Sequence, residues 1–281
     1  MDFLLECIGF PPGTDDQALV ARIRAEGEGA PWRGDSAHHL RSTLGDGLEL
    51  RADQEPGQSF WTVLPHYRAQ HRLRVAVERV LRPAESPFDA LLHGWACPAF
   101  GGGAPFSARP GARDHESFDD LERGGAPGLY RIATWITDAR RLGQEPYPGH
   151  VLAISIAGFG VNVDAVIPNR EVSDPSILER PSGAWIAPLG GPDDPGGCCD
   201  VSLRVRSLRR SQNAWTKEPV TILECDAPER PILLFVSPWQ LARDGLALPR
   251  PGWRVEGTFL FSGRLEGGIP RPGRVAGRHF G

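Results

Sequence analysis

From His150 to Pro168 the chain runs HVLAISIAGFGVNVDAVIP, its longest apolar stretch. Leu152, Ile154 and Ile156 alternate with Ala153, Ser155 and Ala157. Beyond Gly158 the apolar set becomes Phe159, Val161, Val163, Ala165 and Ile167. Side chains of a strand alternate faces, so a phase change of one residue turns the buried face over. Gly158 and Gly160 stand where it turns. This predicts a β-bulge, a barrel corner or a tight reversal, in a central bent strand or a close strand pair.

The same alternation marks shorter strands elsewhere. Phe3 to Ile8 reads as one, before Pro11-Pro12-Gly13 forces a turn. Gly45-Asp46-Gly47 predicts a tight turn ahead of Leu48-Glu49-Leu50. Phe60 to Leu64 and Leu129 to Ile136 read as strands. Leu73, Val75 and Val77 alternate with Arg72, Arg74 and Ala76 as in a half-exposed strand. Phe88 to Cys97 is apolar, with a pattern that suits strand and helix alike. Towards the C-terminus, Val201-Leu203-Val205, Val220 to Cys225, Ile232 to Val236 and Trp253 to Leu265 form a succession of strands. Leu73 to Leu81 with Phe88 to Cys97 echoes Val201 to Leu208 with Val220 to Cys225.

Helical spacing is rarer. Thr14 and Gln17 have the spacing of a capping box, with Asp15 and Asp16 at the positive end of a helix running to Glu26 and stopping at Gly27. Leu19, Val20 and Ile23 form its apolar stripe. Ser237-Pro238 can open a second, short helix.

The chain therefore reads as α+β and predominantly β, with few short helices and short antiparallel strands in two packed modules. An α+β module spans 1–125. A β-rich module spans 126–281, contains the central strand 150–168, and ends in a small barrel at 200–266 whose strand order is compatible with an OB-like barrel. Residues 101–128 and 169–197 read as irregular.

Composition supports this picture. The 34 glycines and 27 prolines among 281 residues leave little room for long helices. A net charge of -4 supplies no global field for nucleic acid or an anionic membrane. The start MDFLLECIGF carries Asp2 and Glu6 where a signal peptide would be basic and apolar, and no run is long enough to span a bilayer. Five cysteines without framework spacing point to a reducing, cytoplasmic setting.

Three patterns carry candidate chemistry. His93 and Cys97, followed by Gly101-Gly102-Gly103, place a thiol, a base and free amides close in sequence, the ingredients of nucleophilic catalysis; the alternative is a buried structural cysteine. Asp114, His115 and Glu116, joined by Asp119, Asp120 and Glu122, form one group of potential metal ligands, and Asp193, Asp194, Cys198, Cys199 and Asp200 another. Neither has the spacing of a known metal motif, and solvated acidic loops account for both. Arg204, Arg206, Arg209 and Arg210, with Trp215 in the turn beyond, would suit a nucleic acid or another anion on a strand face; His66, Tyr67, Arg68, His71, Arg72 and Arg74 form a second basic stretch. The polar side of any exposed sheet would look the same. With no catalytic spacing present, the sequence points first to a cytoplasmic binding or protein-interaction protein, through a partner or self-association, with no cofactor and no membrane. A single-stranded nucleic-acid or anion binder and a Cys/His-dependent enzyme are the alternatives.

Overall fold

The computed structural model describes residues 2–30, 36–68, 72–83, 88–97, 130–168, 184–228 and 230–269. Among the described residues strands dominate, in two sheets, with three short α-helices. The predicted loop 101–128, and residues 169–183 of the predicted irregular region 169–197, lie outside the described residues.

The first helix corrects an expectation. Phe3 to Ile8, read as a strand, falls almost wholly in a helix, α1 (Asp2–Cys7). Leu4, Leu5, Cys7 and Ile8 are all buried, so apolar surface is needed around the segment rather than on alternate sides. The Cys7 thiol reaches two carbonyls, Gly160 O and Phe235 O, each at 3.5 Å. The second helix, α2, spans Asp16–Glu26 as expected, but Asp15 caps it. Its carboxylate accepts from Gln17 N at 2.8 Å, whereas the Thr14 hydroxyl turns back to donate to Pro11 O. A carboxylate adds charge–dipole attraction to the hydrogen bond that a hydroxyl offers.

Next comes a four-stranded antiparallel sheet in chain order: β1 (Glu28–Gly29), β2 (His38–Gly45), β3 (Leu48–Gln54) and β4 (Thr62–Tyr67). The predicted turn joins β2 to β3, with Gly45, Asp46 and Gly47 all at positive φ. β3 is buried on both faces. Leu48, Leu50 and Ala52 join a core with α1 and α2, while Glu49, Arg51 and Asp53, pointing the other way, are buried too.

The remaining strands form the larger sheet: β5 (Arg72–Leu81), β6 (Ala90–Ala96), β7 (Arg131–Ile136), β8 (Val151–Pro168), β9 (Trp185–Pro188), β10 (Cys198–Gln212), β11 (Pro219–Asp226), β12 (Ile232–Val236) and β13 (Trp253–Gly267). Helix α3 (Pro238–Arg243) precedes β13; the Ser237 hydroxyl caps it, as its sequence predicts. The pairings return on themselves twice. One circuit runs β8–β5–β6–β7–β13, the other β8–β12–β11–β10–β13, and both contain the long antiparallel pair β8–β13. The circuits are uneven. β7 meets β13 through two residue pairs and β12 meets β8 through three, and both contacts are parallel. The strands are thus neither all short nor all antiparallel, and nothing in this order supports an OB-like arrangement. β5 and β6, from the N-terminal part of the chain, are hydrogen-bonded within the same sheet as β7–β13.

β8 is bulged and does not reverse, but its faces turn over beyond Gly160 and not at Gly158. It continues through Gly158, and its extra residues are Val161 and Asp164, opposite register shifts in β13 at Thr258/Phe259 and Glu256/Gly257. Each bulge turns the faces over once. Leu152, Ile154 and Ile156 therefore share a core with Val163 and Val166, while Ala157 and Phe159 face the core shared with α1. Val161 and Ile167, expected inside, are half-buried and exposed. At the second bulge Gly257 takes φ +147°, and a Cβ there would lie 2.2 Å from Asn162 O. Gly257→Ala should therefore lower stability by about 2–4 kcal/mol. Gly29→Ala, whose Cβ would meet nothing, should shift the urea midpoint hardly at all.

Candidate functional site

His93 and Cys97 sit on β6 and just past its end, four residues apart along extended backbone, about 13 Å at 3.3 Å per residue. His93 Nε2 lies 3.2 Å from Asp194 O, and burial pushes its basicity down. Cys97 Sγ lies 3.7 Å from Trp95 O in a small apolar cluster with Ala76 and Trp95. The structure does not bring this thiol and this base together.

The metal candidates fare no better. Asp114, His115 and Glu116 lie outside the described residues. Cys198 and Cys199 are neighbours in β10, so their side chains point to opposite faces. Cys199 is buried against β7, where its sulfur accepts from Ala133 N at 3.3 Å, and burial raises its pKa to about 12. Cys198 is raised too, by burial and then by Asp194 and Asp200. Among the described residues no three His, Cys, Asp or Glu side chains are placed to share an ion.

The arginines of β10 are divided by a register shift between Val205 and Ser207. Arg204 is neutralised by Asp226 at 2.8 Å. Arg209 shares the face of Ile222, its cross-strand partner, and donates to the Tyr67 hydroxyl. Arg210 opposes Thr221 and so takes the other face. Arg206 and Arg210 are exposed, and neither has a hydrogen-bond or ion-pair partner among the described residues. Trp215, expected to be exposed, is half-buried. Phe10 meets it edge-on at 6.3 Å and the Arg22 guanidinium covers its ring at 4.2 Å.

The second basic stretch also comes apart. Arg72 pairs with Glu266, Tyr67 is buried, and His66 points inward.

The sequence gives little sign of what His66 joins. The inner face of the four-stranded sheet is an ionic layer closed against the turn after β7 and against β13. His39 Nδ1 donates to Asp53 at 2.5 Å, and Arg51 holds the same carboxylate at 2.9 and 3.1 Å. Arg51 also donates to Thr137 O across the sheet boundary. Arg264 of β13 reaches Glu49 at 3.5 Å, and Arg140 pairs with Glu55. Asp138 accepts from Leu265 N at 2.9 Å and Arg141 at 2.8 Å. A His–Asp pair is half of a general base, but this one is sealed: His39 is 5% and Asp53 3% exposed, and Phe88 meets the imidazole edge-on. A small cavity lies elsewhere, between Leu73, Ile156 and Ile232, with Tyr130 and Arg230 on its wall.

No protein-family model, curated protein or solved structure matches the chain. The site therefore has to be read from its own geometry.

His66 is the least satisfied member of the layer. Neither ring nitrogen has a hydrogen-bond partner among the described residues. Burial, then Arg264, Arg51 and Arg68, holds its pKa well below the usual value. The folded state keeps it neutral, while the unfolded chain takes up a proton as pH falls through about 6.5. Its contribution to stability is thus present above that pH and lost below it, at up to about 1.4 kcal/mol per pH unit. His93 acts in the same direction. His66→Leu should flatten the fall in urea stability between about pH 6.5 and 5; an unchanged slope would show that His66 is already protonated in the fold. The thiols give a second check. Iodoacetamide at neutral pH should modify Cys198 slowly and the other four cysteines only on unfolding, as read by mass. Rapid native modification of Cys97 would restore it as a nucleophile.

Proposed function

We propose that this chain is a binding protein without catalytic machinery and that it works through contacts with other proteins. One observation carries the reading: its reactive and charged groups are segregated. The groups that chemistry would need, the buried thiols and the His39–Asp53 pair, are sealed away from substrate. Unneutralised guanidinium groups lie instead at the surface, at Arg206 and Arg210 of β10 as at Arg68, Arg74 and Arg82. An enzyme needs the reverse, with perturbed groups opening on a cleft.

We read the two pairing circuits as two small barrels sharing β8 and β13, a scaffold for presenting that strand. All five cysteines are free, which fits a reducing compartment such as the cytoplasm. No described helix is long and apolar enough to cross a membrane. Single-stranded nucleic acid is the weaker reading. It needs a stacking platform beside the arginines, and Trp215 is occupied by Phe10 and Arg22.

The test is photo-crosslinking in the source cells, with a benzophenone amino acid at position 212, exposed at the end of β10 with both arginines left in place, and, as control, at position 24 on exposed α2. Discrete protein adducts from 212 and none from 24 are expected. Adducts to nucleic acid, or none from either position, would overturn the reading.

A further inference from the structure

The second half of β10 has a strand on one side only. From Arg204 to Gln212 it pairs with β11. On its opposite side β13 stops at Arg204, and Gly252 N takes the Val205 carbonyl at 2.7 Å. At the far end, Ala214 N bonds to Leu44 O and closes the hairpin against the β2–β3 turn. Between these two closures, residues 206–210 have no strand along that side among the described residues. Every second residue of a lone edge directs its N–H and C=O outwards, where they are free to pair.

The side chains along this edge select the partner. Leu208 is half-buried and offers an apolar contact, while Arg206 and Arg210 are exposed and unpaired. Nearby carboxylates are committed elsewhere: Asp226 to Arg204, Glu224 to Ser207 and Asp46 to Ser211. A second copy of the chain is disfavoured, because pairing this edge with itself would set arginine against arginine. A neutral strand would leave both guanidinium groups without partners. Nucleic acid can accept from single N–H groups of the edge but cannot form a ladder along it, and it finds no stacking surface beside it among the described residues.

We propose that residues 206–210 of β10 take up an acidic, extended peptide segment as an added strand, its carboxylates opposite Arg206 and Arg210. The proposal rests on the interaction-protein reading and names the partner's chemistry. Main-chain bonds would supply affinity, and the two arginines would set the sign and register. The bulge at Val205/Ser207 marks one end of the docking stretch.

The test uses the full chain and a fluorescein-labelled Glu-Val repeat peptide, followed by anisotropy at low salt. The controls are a Lys-Val repeat, the Glu-Val repeat N-methylated at alternate residues, and oligothymidylate. We expect the Glu-Val peptide to bind and the Lys-Val peptide not to. N-methylation should abolish binding, because it removes the N–H groups a strand must donate. Arg206→Glu with Arg210→Glu should weaken binding at least about tenfold with the melting curve unchanged, since both side chains are exposed. Equal binding by the N-methylated peptide would reduce the site to point charges and overturn strand addition. Oligothymidylate binding without peptide binding, or no binding at all, would overturn the proposal outright. If protein adducts still form at position 212 while the peptide fails, the proposed partner chemistry falls and the interaction reading stands.

Discussion

The ladder between β8 and β13 is the constraint on which the rest of the structure depends. Both pairing circuits contain it, and it runs from Trp253 opposite Pro168 to Gly267 opposite Ala153. Two circuits can share one pair only if each half of the pair buries a different set of side chains. The bulges at Val161 and Asp164 provide this, because each turns the faces over without breaking the pairing. Ile154 and Ile156 fill one core, the bulges bring Val163 and Val166 back to that same core, and Phe159, opposite them by simple alternation, packs with Phe235 in the core shared with α1. The glycines follow from the same geometry. Gly158 is packed by Leu234 and Phe261, and Gly257 holds a backbone conformation that side chains resist.

The ionic layer is a second constraint with a different energetic character. Arg51, Asp53 and Glu49 are buried and Arg264 is half-buried beside them, and pairing repays the cost of taking such charges from water only when nearly every lone pair and N–H is used. Such a layer adds little net stability, but it discriminates between arrangements. Arg51 meets Thr137 O and Asp138 accepts from Leu265 N in one relative placement of the two sheets, and a slip by one residue would strand several charges. His66, with both nitrogens bare, is the flaw in this layer, and a neutral imidazole is the form that costs least there.

The strands were largely legible in the sequence because their apolar positions alternate, α2 because polar capping residues cluster before the stripe of Leu19, Val20 and Ile23, although Asp15 and not Thr14 caps it, and α3 because Ser237 is a strong cap. The β2–β3 turn was legible for the same local reason. What failed was the inference from polar to exposed. Glu49, Arg51 and Asp53 alternate with Leu48, Leu50 and Ala52 as in any half-solvated strand, and only the arrival of β13 and the turn after β7 shows that the polar side is covered. The partners are more than 80 residues away, and no local pattern encodes them. α1 failed for a related reason: six residues, with Leu4, Leu5 and Cys7 all buried, are too few to display a helical period. The arginines of β10 were found, but their division between two faces was not, because it depends on one extra residue beside Val205.

That division decides what kind of partner suits the edge. The chain carries net negative charge, so no long-range field draws a polyanion to β10. Screening confines the influence of Arg206 and Arg210 to about 8–10 Å at physiological salt. A polyelectrolyte gains its affinity from many phosphate contacts spread along a groove, and two isolated guanidinium groups supply few of them. A strand gains most of its affinity from main-chain bonds already aligned by β11, and needs charge only to choose the right sequence and register. Two arginines flanking one half-buried leucine are enough for that second task and too few for the first.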